Sequence, residues 1–185
     1  MPDQPFVTDV AGPLRYAVVP TPLGELTLVA DDVALVAVHY PGATVPDDGA
    51  WGEMVDPTGH PVLREAAAQL VAYLSGERTT FELPLRPAGT DFQRAAWAAL
   101  LEIPYGRTRS YRHQAERLGR PTAVRAVGAA NGRNPIPIVI PCHRVIGTGG
   151  SLTGYAGGVA LKSRLLDLES GQGRLPGGPS PLTPG

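Results

Sequence analysis

"SYRHQAERLGRPTAVRAVGAANGRNPIPIVIPCHRVIG", residues 110–147, decides how the chain is read. "SYRHQAERLG" (110–119) and "PTAVRAVGAANG" (121–132) each have the length of a short helix, and Gly119–Arg120 between them suits a helix-turn-helix. On the second helix Ala123, Val127 and Ala130 share one side and can pack inward. Arg125, Gly128, Ala129 and Gly132 fall at i, i+3, i+4 and i+7 and share another. Each glycine weakens a helix by about 1 kcal/mol relative to alanine, so the bare stripe needs a compensation. Two are open. The stripe can pack tightly on another helix, or it can lie against a DNA groove with Arg125 as the one probe able to reach the base stack.

After that helix, the prolines of "NPIPIVIP" exclude helix interior, so 136–141 reads as extended. It leads to Cys142, the chain's single cysteine. A lone cysteine is ordinarily a small buried hydrophobe. Here His143 and Arg144 follow at once, and nearby cations favour thiolate over thiol. The proline-stiffened run also fixes the sulfur in place, as nucleophilic attack requires. Neighbours in an extended chain point apart, so His143 is expected to reach the thiol only through a water or a sharp turn. The imidazole then needs a carboxylate behind it, and the last helix offers Asp167 and Glu169.

Working outward, Thr90 and Gln93 form a capping box at the start of "DFQRAAWAALLEI", which Pro104 and Gly106 stop. A Gly-rich loop (147–158) precedes the final helix, "ALKSRLLDLES". Toward the N-terminus, "RYAVVPTPLGELTLVADDVALVAVHY" (15–40) reads as an antiparallel meander with turns at Pro20–Gly24 and Asp31–Asp32. Residues 41–60 read as a surface loop. Pro61 opens a helix ending near Gly76, with Val62, Leu63, Ala66, Leu70, Val71 and Leu74 as its apolar stripe. "FELPLRPAG" (81–89) supplies one more strand and a linker. The fold class is therefore α+β. Its expected divisions are a flexible 1–13, an α+β domain at 14–88, a mostly helical domain at 89–171 and a disordered Pro/Gly-rich tail at 172–185.

The chain is 43% hydrophobic and 18% charged over 185 residues, enough to bury a core. Its net charge of −1 hides a division. Residues 1–103 carry 14 acids and 5 bases, whereas residues 104–185 carry 11 bases and 3 acids. Seven arginines stand between Pro104 and Asn134 against the single acid Glu116. Such asymmetry fits one half meeting a polyanion. One cysteine makes no internal disulfide, which fits a reducing cytoplasm, and rules out a zinc site of several thiolates. No signal peptide or membrane span is evident.

"IPCHRVIG", preceded by "RAVGAANGRNP" and followed by "LTGYAGG" and "LLDLE", resembles the O6-alkylguanine-DNA alkyltransferase family, the methylated-DNA–protein-cysteine methyltransferases. The likeness is strong over about residues 90–170 and weaker upstream, where "PLGELTL" matches the family's first hairpin. It implies an RNase H-like N-terminal domain joined to a winged helix-turn-helix domain. It also implies repair of O6-alkylguanine in double-stranded DNA by a single, stoichiometric transfer to Cys142, without cofactor or metal. His143 would be the base acting through a water, with Glu169 behind it. Arg125 would fill the space left by a flipped nucleotide, with Gly128, Ala129 and Gly132 against the groove. Tyr111 would crowd the 3′ phosphate and protonate the departing guanine, and Asn134 would brace the turn at the nucleophile. Tyr155, Ala156 and Val145 would line the base pocket. Ala156 replaces a serine found in some members, leaving only its backbone N–H for guanine O6. A monomer in the cytoplasm is expected, with clustering of copies on DNA left open.

Two rivals bear different predictions. A DNA-binding damage sensor without chemistry would keep its activity in Cys142→Ser. A cysteine hydrolase would turn over an ester or amide and would need a distant histidine, whereas His39, His60 and His113 read as structural or surface residues.

Overall fold

The computed structural model describes residues 5–9 and 12–171. Strands β1 (Arg15–Thr21), β2 (Gly24–Ala30) and β3 (Leu35–His39) form the expected meander. β1 and β2 pair antiparallel with Thr21 opposite Gly24, and Thr21 Oγ1 accepts from Leu23 N–H at 3.1 Å inside the turn. Asp31 Oδ1 accepts from the N–H groups of Val33 (3.0 Å) and Ala34 (2.8 Å), closing the β2–β3 turn as aspartate side chains do. Alternation along β1 buries Ala17 and Val19 and leaves Val18 out.

The segment 41–60 is less bare than its composition suggests. Glu53–Met54 forms β4, which pairs parallel to β1 and completes a sheet of order β3-β2-β1-β4. Trp51 stacks on His39 with ring centroids 4.1 Å apart, which holds this segment against the sheet. Helix α1 (Pro61–Leu74) packs on the sheet through Leu63, Ala66 and Leu70, with Tyr73 on the same buried face. The strand expected at 81–89 reduces to Leu85 bridging Leu35. The opening residues are not loose where they are described: Phe6 lies in the core and Val7 N–H donates to Leu85 O at 2.9 Å. The tail at 172–185 lies outside the described residues.

Helix α2 (Asp91–Leu101) begins on the capping box, with Thr90 N–H donating to Gln93 Oε1 (2.9 Å) and Gln93 N–H to Thr90 Oγ1 (3.3 Å). After β5 (Arg109–Ser110) come α3 (Tyr111–Arg117) and α4 (Val124–Gly132), and Gly119 takes φ 68° in the turn between them. Their junction with α2 is held by buried polar stitches. Trp97 Nε1 donates to Ala130 O at 2.9 Å, Gln114 Nε2 donates to Ala96 O at 2.9 Å, and the Gln114 and Asn131 amides pair with each other. Strand β6 (Val145–Ile146) pairs parallel to β5, and α5 (Gly158–Glu169) closes the molecule. Among the described residues no helix is long and apolar enough to cross a membrane.

Candidate active site

The stretch from Asn134 to Arg144 is a folded knot rather than the extended run expected from its prolines. Ile140 N–H donates to Ile136 O at 2.9 Å, and Ile138 sits at φ 74°, in the left-handed region that a β-branched residue ordinarily avoids. Pro141 (φ −83°, ψ 64°) then makes an inverse γ-turn, closed by Cys142 N–H on Ile140 O at 2.8 Å. Proline fixes φ but leaves ψ free, so a proline-rich run can fold back when its amides find local partners. Asn134 holds the knot together. Its Nδ2 donates to Ile140 O at 2.8 Å and to Cys142 Sγ at 3.2 Å, while its Oδ1 accepts from Ile136 N–H at 3.1 Å.

Cys142–Arg144 then form a single 3-10 turn, and among the described residues no hydrogen bond joins His143 to the Cys142 sulfur. His143 is fully buried, and its Nε2 lies 2.5 Å from Glu169 Oε1 at the end of α5. Asp167, the other candidate on that helix, is exposed beside Ser163. Arg144 Nε also reaches the Glu169 carboxylate, at 3.0 and 3.1 Å, and its Nη1 donates to Ile103 O at 2.6 Å. Gly106 N–H (2.9 Å) and the Tyr73 hydroxyl complete the set of donors around this one carboxylate. Gly106 takes φ 69°, and a Cβ there would stand 2.9 Å from Glu169 O. Burial works to raise the Glu169 carboxyl, but the His143 hydrogen bond and the Arg144 charge outweigh it and hold the group at about 2.

With Nε2–H committed to Glu169, the lone pair of neutral His143 falls on Nδ1, which is buried and has no hydrogen-bond partner among the described residues. Burial keeps the imidazole below its usual range, against the pull of Glu169. The expected depression of the thiol by His143 and Arg144 is therefore not met, because the ring is neutral and the guanidinium is committed to Glu169. Burial instead pushes the Cys142 thiol up, while the Asn134 N–H and the Lys162 charge pull it down. Cys142 is 6% exposed. The resting site thus holds a protonated thiol and, on the next residue, a neutral imidazole.

Tyr111, at the start of α3, donates its hydroxyl to Thr153 O at 3.0 Å. The same carbonyl accepts from Lys162 Nζ at 3.1 Å, and that ammonium lies 5.7 Å from the Tyr111 ring centroid. Lys162 Nζ also donates to Val145 O at 2.5 Å, so buried Val145 enters the site through its carbonyl. The Tyr155 ring stands edge-on to His143 with centroids 6.5 Å apart, and Ala156 beside it is exposed. Arg125, Ala129 and Gly132 lie exposed along α4. Gly128 is half-buried, where a Cβ would meet the Tyr111 ring at 3.8 Å. Tyr73, Lys162 and Tyr40 were not singled out from sequence, Gly106 was read only as a helix stop, and Arg144 only as a cation favouring the thiolate. Only Tyr73 left a signal, three residues beyond Leu70 on the α1 stripe.

The fold joins a β-sheet unit to a helical unit that carries Cys142 and the buried His143–Glu169 pair. Two family models match, described as the 6-O-methylguanine DNA methyltransferase ribonuclease-like domain over residues 14–87 and its DNA binding domain over 91–171. The chain is 47% identical over 160 residues to the methylated-DNA–protein-cysteine methyltransferase of Methanosarcina acetivorans, covering 84% of this chain and 98% of that one. It is 47% identical over 158 residues to the constitutive enzyme of that name from Bacillus subtilis, covering 83% and 94%. Among solved structures it resembles Mycobacterium tuberculosis OGT in complex with DNA, at TM-score 0.78 and 45% identity over 86% of this chain and 95% of that one. The chain belongs to the methylated-DNA–protein-cysteine methyltransferase family.

Proposed function

We propose that the protein repairs O6-alkylguanine in double-stranded DNA by moving the alkyl group onto Cys142, once per molecule. The observation that carries this reading is the buried pair of His143 and Glu169, which leaves Nδ1 of His143 without a partner among the described residues, on the residue next in sequence to Cys142. The N-terminal half is the RNase H-like domain, and α3 and α4 form the helix-turn-helix of a winged DNA-binding domain.

An alkyl group on guanine O6 is out of reach inside a duplex, so the nucleotide is extruded at a cost of a few kcal/mol of stacking. The α4 stripe lies in the minor groove, and Arg125 fills the vacated place in the stack. His143 Nδ1 takes the Cys142 proton through a water, which overcomes the burial that keeps the thiol protonated at rest. The sulfur then bonds the alkyl carbon, the carbon–O6 bond breaks, and guanine leaves with the electron pair. Tyr111 turns from Thr153 to protonate guanine, and the proton held by His143 makes good its loss. Lys162 supplies positive charge beside both groups. Tyr155 and Ala156 border the base. A thioether offers water or thiols no bond to attack, so the molecule is spent. The residues call for no cofactor or metal, and we place the protein in the cytoplasm as a monomer.

Intact-mass spectrometry after mixing with duplex DNA containing O6-methylguanine tests this. One methyl group gained on the peptide holding Cys142, and none with undamaged DNA, is the expected result. An unchanged mass with DNA binding intact would instead make the protein a damage sensor.

A further inference from the structure

The end of β3 touches both loops that flank the acceptor cysteine. Val38 N–H donates to Pro135 O at 2.9 Å, on the loop before Cys142. Tyr40, the first residue past β3, shares a hydroxyl–hydroxyl hydrogen bond with Tyr155, 115 residues away on the loop after it. Their ring centroids lie 6.1 Å apart with a 54° tilt. A Cβ on Gly157 would stand 2.9 Å from the Tyr40 ring, so the bare backbone of that loop rests against the same residue. Both hydroxyls are withdrawn from water, and burial is the first cause that raises each above its ordinary range. Each therefore serves as the other's partner, and removing one leaves the other buried and unpaired.

We propose that Tyr40, contributed by the N-terminal sheet, is a positioning residue for alkyl transfer, its hydroxyl fixing the Tyr155 ring beside His143. The inference rests on the repair reading above and extends it: the sheet domain helps to set the shape of the base pocket in the other domain. The two hydroxyls form one unit. Losing the hydroxyl of Tyr40 leaves that of Tyr155 to seek another partner, losing that of Tyr155 leaves Tyr40 to do so against the same loop, and losing both removes the reason to move.

The test is a double-mutant cycle of Tyr40→Phe and Tyr155→Phe in the full chain, with single-turnover transfer from duplex O6-methylguanine followed by intact mass. Each single variant is expected to lower the transfer rate constant at saturating DNA by about tenfold, the scale set by an unpaired buried hydroxyl. The DNA concentration giving half the maximal rate stays as in the unaltered protein. The double variant is expected to be no slower than the slower single one. Thermal unfolding of each variant separates lost folding from lost positioning. Tyr40→Phe transferring at the unaltered rate, or losses that multiply in the double variant, would overturn the proposal. Unaltered protein that gains no methyl at Cys142 would overturn the repair reading itself, a distinct result because no variant is involved.

Discussion

His143 and Glu169 are 26 residues apart in the chain and meet at 2.5 Å in the interior. The contact fixes which imidazole nitrogen carries hydrogen, and so which one can accept it. Arg144, next in sequence, shares the same carboxylate, so one buried anion orients the base and neutralises a buried cation.

Replacing Glu169 by Gln strips Arg144 of its counter-charge in a buried setting, where breaking such a pair costs about 3–5 kcal/mol. Chemical denaturation should report a loss of that size, and alkyl transfer should fall with it. A variant as stable and active as the original would contradict the shared role.

The same group sets an acid limit. Its carboxyl is held at about 2 in the folded protein, below the ordinary value of 4.5. A depressed carboxylate contributes stability that is full above its unfolded pKa and is lost as the pH falls through the folded one. Unfolding free energy should therefore decline between about pH 4.5 and 2, by about 3 kcal/mol from this group. In Glu169→Gln that part of the decline should vanish.

As the proposed base, His143 must be neutral to take a proton, and burial lowers its pKa from 6.5. The transfer rate constant should stay level as the pH falls through 6.5 and drop only below it. A midpoint above 6.5 would mean that some other group is the base.

Asn134→Ala removes the N–H that faces Cys142 Sγ at 3.2 Å. Hydrogen bonds to charged acceptors are worth about 1.5–3 kcal/mol, so thiolate formation should become at least tenfold less favourable by that scale. Alkylation of the thiol by iodoacetamide, followed against pH, should shift to higher pH in the variant. An unshifted profile would assign Asn134 to the turn alone.

Arg125→Ala should slow repair in duplex DNA by about tenfold or more, since filling the stack offsets part of a cost of a few kcal/mol. Reaction with free O6-methylguanine should be unaffected. DNA affinity should fall steadily with added salt as arginine–phosphate contacts release counterions. Equal losses on duplex and free base would remove the intercalating role.

Much of the scaffold was legible because it rests on local chemistry. Thr90 and Gln93 announce α2 by their identities alone, and both halves of the box form. Asp31–Asp32 and Pro20–Gly24 mark turns that the backbone makes. The knot before Cys142 was not legible, since Ile138 at φ 74° contradicts its own preference and is held there by its surroundings. At the site, residues alone left Asp167 and Glu169 open, and the family likeness selected Glu169. The phase of α5 agrees, burying Lys162, Leu165, Leu168 and Glu169. Lys162 and Tyr40 act through contacts made across the fold, and no spacing in the sequence announces them.

The carboxylate at the end of α5 collects hydrogen bonds from Tyr73, Gly106, His143 and Arg144, residues that reach from α1 to the turn beside Cys142. A polypeptide still lacking the final turn of α5 would therefore hold a buried imidazole and a buried guanidinium with no anion to share between them.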